Sequence, residues 1–173
     1  QIWLISYQLD TVTAGPSIRF QRYPPFFEKR GYRLTFLTRR VSSQLSKYEK
    51  KKHFDIIRVS SNAPVFHRTL FISKCLVKAI FSKNKPDIFL TFSLNNFQLI
   101  LLPLIHLKRI KLVYVSTMSL VNRIGFWGTM SKKINKLLYN NIHRVVTSTD
   151  FLSKDYLDLG VHPDKIRIIN NGV

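Results

Sequence analysis

Cysteine is nearly absent from this chain. Its one thiol, Cys75, excludes an internal disulfide and fits a reducing compartment. Carboxylates are almost as scarce. Asp plus Glu total 9 against 28 for Lys plus Arg, and the only glutamates are Glu28 and Glu49. No paired acid–base set is visible. His53, His67, His106, His143 and His162 have no neighbouring carboxylate or cysteine at ligand spacing, so no metal is expected. A three-glycine dinucleotide fingerprint, a Gly-x-Ser-x-Gly elbow and a phosphate-binding P-loop are all missing. The longest apolar stretch, 97–107, is about half a membrane span and carries Pro103 and His106, so it reads as a buried helix. No secretory signal is expected, because Ile2-Trp3-Leu4-Ile5 is too short for one and lacks a basic flank. The missing initiator Met suggests trimming or an imposed boundary.

What is present is a core and a large positive charge. With 173 residues, 45% hydrophobic and 13% aromatic, the chain suits one domain with a sizeable interior rather than a disordered segment. The net charge of +19 favours anionic partners: nucleic acid, anionic lipid or phosphorylated substrates. The basic residues scatter through 47–52, 74–85, 108–111 and 132–136, many interleaved with apolar residues. Each cluster alone reads as a solvated helix face. Together they favour a surface against anionic lipid, where each basic residue adds about 1 kcal/mol. No RNA-recognition signature, zinc finger or helix-turn-helix is present. A nucleic-acid-binding α/β module is the alternative reading, and a small-molecule enzyme complete in these residues is a third.

Short apolar strands alternate with helix-length segments. Strands are expected over 2–6, 33–38, 54–59, 88–92, 111–116, 145–148 and 165–169. Helices are expected over 17–29, 66–81, 96–107, 129–139 and 151–159. The Pro24-Pro25 pair should kink or interrupt the first of them, and Gly31 should follow it as a stop. The polar stretch 39–52 reads as a loop or a short exposed helix, and Gly160 as the stop of the last helix. Ile88-Phe89-Leu90 and Leu112-Val113-Tyr114 are continuously apolar, which marks strands covered on both faces. The expected fold is therefore α/β, doubly wound and Rossmann-like: a mainly parallel seven-stranded sheet with helices on both faces.

In such sheets ligands bind at the carboxyl ends of the strands. That directs attention to loops 7–16, 38–41, 60–65, 93–96, 116–128, 149–150 and 170–173. The first holds Ala14-Gly15-Pro16-Ser17. It reads either as a plain turn with Ser17 capping the helix or as a phosphate-facing loop at a helix N-terminus. Asp10 in the same loop is a possible base or a loop-structuring residue. Asp87 enters a strand at the wrong end for catalysis and suits a hydrogen-bonding role; Asp150 suits a helix cap. So little chemistry in such an architecture suggests catalytic groups lying elsewhere.

Three segments resemble a known family. They are Ile2-Trp3-Leu4-Ile5 with Ala14-Gly15-Pro16-Ser17-Ile18-Arg19-Phe20 and Lys29-Arg30-Gly31-Tyr32-Arg33-Leu34-Thr35; Lys85-Pro86-Asp87-Ile88; and His143-Arg144-Val145-Val146-Thr147-Ser148 through Gly160 to Lys165-Ile166-Arg167-Ile168-Ile169-Asn170-Asn171-Gly172-Val173. Together they look like the N-terminal domain of retaining glycosyltransferases of GT-B fold, the group 1 or family 4 type. The resemblance implies one acceptor-side domain over 1–173, ending at an interdomain hinge at Asn171 and Gly172. It also implies a C-terminal nucleotide-sugar-binding domain absent from the chain, so that these residues alone would be inactive.

The resemblance further implies a donor-phosphate-facing loop of Ala14, Gly15, Pro16 and Arg19. It implies an acceptor side near Asn95, Ser116, Thr117, Asn122 and Arg123. Catalytic residues, a metal and a cofactor are not implied in this domain, the nucleotide-sugar being a substrate. Three departures stand out: Ala14 replaces a glycine of the family's pair, Tyr32 replaces a histidine, and neither Ser116 nor Thr117 can act as a charged acid or base. The expected protein transfers a sugar from a nucleotide-diphosphate donor to a cell-envelope glycan or lipid-linked acceptor. It would sit in the cytoplasm, peripheral to the inner face of the membrane, and would bind no nucleic acid.

Overall fold

The computed structural model describes residues 1–6, 23–59, 67–82, 85–92, 110–116, 136–137 and 139–169. The chain divides into two compact units, Gln1–Phe89 and Leu90–Val173.

In the first unit, β1 (Ile2–Ser6) lies parallel to β2 (Leu34–Arg39), and β2 lies parallel to β4 (Phe54–Val59). All five residues of β1 and the first five of β2 are buried, including the polar Ser6, Thr35 and Thr38, as befits strands covered on both sides. Trp3 meets Phe89 edge-on with centroids 5.9 Å apart, and Phe36 meets Phe54 at 4.9 Å. The Asp87 carboxylate contacts the amino nitrogen of Gln1, and its backbone N–H donates to the Gln1 carbonyl at 2.9 Å, which is the hydrogen-bonding role expected of it. Strand β5 (Ile88–Phe92) begins in this unit and crosses the division.

Helix α1 (Pro24–Glu28) corrects one expectation. The proline pair, expected to kink or interrupt a helix over 17–29, opens this one at Pro24, because the first turn has no use for the missing N–H groups. Residues 17–22 lie outside the described residues. Gly31 does stop the helix. At φ 77° it lets its own N–H reach the Glu28 carbonyl and the Tyr32 N–H reach Phe27, a paired closure that satisfies two orphan carbonyls.

A second correction concerns 39–52. This stretch contains a short strand, β3 (Tyr48–Lys50), antiparallel to β4, so the described residues hold eight strands and not seven. Two polar links fasten it. Arg58, its side chain 5% exposed, donates to Glu49 at 2.8 Å, and the Tyr48 hydroxyl donates to Asp55 at 3.1 Å. Arg33 holds the other Asp55 oxygen at 2.7 and 3.2 Å. Hydrogen bonds from Lys51 and Arg58 hold Glu49 below the usual glutamate range. The strand is thus set by hairpin pairing with β4 and by these polar links rather than by an apolar pattern.

Helix α2 (His67–Phe81) packs on β4 and buries Phe71, Ile72, Cys75 and Ala79. Its outer face carries Lys74, Val77, Lys78 and Phe81.

In the second unit β6 (Lys111–Val115), β7 (Arg144–Thr147) and β8 (Ile166–Ile168) run parallel in that order. A short turn of 3-10 helix, Pro163–Lys165, leads into β8. Helix α3 (Asp150–Asp158) is capped by Thr149, whose hydroxyl accepts from Leu152 N at 3.2 Å. The expected cap, Asp150, instead occupies the first turn, because the extended backbone at 149 is what aims a side chain at the free N–H groups. Gly160, at φ 79°, closes α3 as Gly31 closes α1, with Gly160 N on Leu157 O and Val161 N on Tyr156 O. Residues 136–137 and 139–141 are helical, in line with the helix expected over 129–139; the helix expected over 96–107 lies outside the described residues. The mainly parallel α/β class stands.

Candidate functional site

Most of the strand-end residues singled out from sequence, namely Ala14, Gly15, Pro16, Arg19, Asn95, Thr117, Asn122, Arg123, Asn171 and Gly172, lie outside the described residues, as does Asp10. Ser116 is described, and its surroundings define the carboxyl edge of the second unit.

Register places its neighbours. Tyr114 aligns with Val145, Val115 with Val146, and the Ser116 N–H donates to the Val146 carbonyl at 2.8 Å. Aligned residues of parallel strands share a face and alternate along each strand, so Tyr114 and Ser116 share one face with Val145 and Thr147. Helix α3 covers that face with Tyr156. The rings of Tyr114, Tyr139 and Tyr156 form a triangle with centroid separations of 5.7, 6.1 and 5.0 Å. All three tyrosines are buried, as are Ser116 (1% exposed) and Thr147 (0%).

The Tyr156 hydroxyl lies against those of Ser116 and Tyr114. Burial first, and then the neighbouring phenols of Tyr114 and Tyr139, push its proton affinity above the ordinary tyrosine value. It therefore stays neutral and braces the unit through its ring, not as a base; its buried oxygen has no hydrogen-bond partner among the described residues. The Thr147 Oγ1 atom, although buried, has no hydrogen-bond partner among the described residues. Next to it, Thr149 starts α3 and exposes Asp150, a carboxylate at this edge. The arrangement is a rigid, uncharged floor. It fixes the point where the chain leaves β6 toward Thr117, and it supplies structure rather than acid–base chemistry. Sequence reasoning missed Tyr114, Thr147 and Tyr156 as the buried neighbours of Ser116. The available signal was the helical spacing of Leu152 and Tyr156 on one face of α3.

Positive charge gathers at the opposite, amino edge of this unit. The register brings Lys111, Arg144 and Lys165 to adjacent strand starts around His143. Partial burial, and then these three cations, hold the His143 imidazole below its ordinary value. His53 contacts Glu28 and His162 contacts Asp164 at 3.2 Å, but no group of three or more metal-ligating side chains occurs among the described residues. No helix among them is long and apolar enough to cross a membrane.

Comparison with known proteins now bears on this edge. Similar solved structures include sucrose-phosphate synthase from Thermosynechococcus elongatus, at 16% identity and TM-score 0.74, over 99% of this chain and 48% of that one. HepE from Anabaena, in complex with UDP and glucose, matches at 11% identity and TM-score 0.66, over 99% and 44%. UDP-GlcNAc 2-epimerase from Methanocaldococcus jannaschii matches at 13% and 0.57, over 97% and 44%. The chain thus spans less than half the length of each of these three proteins. These likenesses establish the fold. A search of curated protein sequences finds no match. The model of Glycosyltransferase Family 4 matches residues 26–173. The chain therefore belongs to Glycosyltransferase Family 4, and its fold is that of the N-terminal domain of a GT-B glycosyltransferase.

Proposed function

We propose that this chain forms the acceptor side of a glycosyltransferase, which moves a sugar from a nucleotide-diphosphate donor to a cell-envelope glycan or lipid-linked acceptor at the inner face of the membrane. The observation that carries the reading is the family match over 26–173, laid on a parallel α/β scaffold. The solved HepE complex with UDP and glucose supports a nucleotide-sugar as donor, bound by a further domain as substrate and not as cofactor.

In this reading Ala14 and Gly15 bring backbone N–H groups to the donor phosphates, Pro16 stiffens the turn, and Arg19 adds charge. Such preorganised donors stabilise the departing diphosphate. Asn95, Thr117, Asn122 and Arg123 line the acceptor side, which positions the attacking hydroxyl. Ser116, buried at the end of β6, anchors the segment that carries them. Asn171 and Gly172 form the hinge. The positive charge of +19 holds the enzyme near anionic lipid.

The test is a transfer assay on the whole protein, with a panel of nucleoside-diphosphate hexoses and a membrane extract containing lipid-linked glycans. Nucleotide release coupled to labelled glycan is the expected result. Arg123→Ala should raise the acceptor KM by about tenfold, corresponding to about 1.4 kcal/mol, with donor KM unchanged. Absence of transfer with every donor, alongside tight salt-resistant RNA binding, would favour the nucleic-acid module instead.

A further inference from the structure

The outer face of α2 does not resemble an ordinary solvated helix face. Lys74, Val77, Lys78 and Phe81 fall at i, i+3, i+4 and i+7, so they stand in one row along the helix. At 1.5 Å per residue the row is about 10 Å long. Its two apolar members are far from buried: Val77 is 51% exposed and Phe81 80%. Both lysines are exposed as well, and Lys85 follows, also exposed. The helix contains no carboxylate at any of its 15 positions. Its other face is satisfied by the core, with Phe71, Ile72 and Cys75 at 0% and Ala79 at 1%. The outer row is therefore not misplaced core.

We infer that this row is a docking surface for an anionic lipid bilayer, with α2 lying in the interface plane. This inference rests on the membrane-proximal reading above and locates its surface. The charge is complementary to lipid phosphate, and the alternation matches the layering of a bilayer. The Lys74 and Lys78 stems run along the apolar strip while their ammonium groups reach the headgroups. Phe81 and Val77 enter the boundary of the acyl region. A nucleic acid would use the ammonium groups but leave both apolar side chains in water. Two apolar side chains also fall far short of the roughly 800 Å² per partner that a stable protein interface buries. Insertion into a bilayer has no such threshold.

The experiment is co-sedimentation of the whole protein with vesicles of phosphatidylglycerol and phosphatidylcholine, compared with phosphatidylcholine alone. Three double variants are compared with the unaltered protein: K74Q/K78Q, V77Q/F81Q, and K29Q/K52Q as a charge-matched control at exposed positions off the helix. Since all six positions face outward, thermal melting should be unchanged. K74Q/K78Q should weaken binding to anionic vesicles about 30-fold, at about fivefold per lysine. V77Q/F81Q should weaken it about tenfold without altering the dependence on salt. The control pair should lose less than threefold. If the unaltered protein fails to bind anionic vesicles, the membrane reading falls and this surface with it. If it binds but both α2 variants lose no more than K29Q/K52Q, the membrane reading stands and the α2 surface is wrong. If only the lysine pair matters, the inserted-helix geometry is refuted.

Discussion

Tyr156 is the residue on which the second unit should be most sensitive. Its ring is 0% exposed and packs edge-on against Tyr139 at 5.0 Å and against Tyr114 at 6.1 Å. Truncation to alanine removes the whole ring and leaves a cavity that the flanking strands cannot fill. Large aromatic truncations of this kind cost about 4 kcal/mol. Tyr156→Phe keeps the ring and deletes only a buried hydroxyl without a hydrogen-bond partner among the described residues, at a cost below about 0.5 kcal/mol. Urea unfolding followed by circular dichroism separates the two. With a slope of about 2 kcal/mol per molar, Tyr156→Phe moves the midpoint by less than about 0.25 M and Tyr156→Ala lowers it by about 2 M. Equal losses would mean that the hydroxyl and not the ring holds the helix. A loss below about 0.5 kcal/mol for Tyr156→Ala, typical of a surface site, would refute the packed triangle altogether.

Two further outcomes follow from groups in the first unit. Burial pushes the Cys75 thiol well above its ordinary range, so a thiol-specific reagent at pH 8 should leave the native protein unmodified and label one thiol per chain in urea; labelling of the native state at the rate of free cysteine would contradict the packing of α2. Glu49 titrates below its ordinary value in the fold, so its contribution to stability is present above about pH 4.3 and is lost as pH falls through its folded value; urea midpoints measured between pH 3 and pH 6 should fall more steeply at the acid end for the unaltered protein than for Glu49→Gln.

How much of this was legible beforehand differs by element. The parallel strands were readable as short, mostly apolar runs: β1 is apolar over Ile2–Ile5, while β2 buries Thr35 and Thr38 beside Leu34, Phe36 and Leu37. The glycine stops at Gly31 and Gly160 were readable because a positive φ restricts the choice of residue so strongly. The strand β3 was not readable. Its residues are polar, and what orders them is a hairpin with β4 and pairing with Asp55 and Arg58, which leave no apolar alternation to read. The cap of α3 went to Thr149 over Asp150 because both side chains offer an oxygen and only backbone geometry chooses between them. At the candidate site, Ser116 was found as the end of a strand. The hydroxyls around it come from α3 and β7, elements that meet only once the unit has folded.

The strand β3 also bears on how the protein behaves in a crowded solution. A sheet margin with free N–H and C=O groups is a template on which another chain can add a strand. Here the margin is three residues long, carries Glu49 and Lys50, and is flanked by Lys47, Lys51 and Lys52. An arriving strand would meet charged side chains over most of its length and would find too few backbone groups to register on. The first unit thus guards its own sheet against fibril-like association, at the modest cost of keeping two buried charges paired.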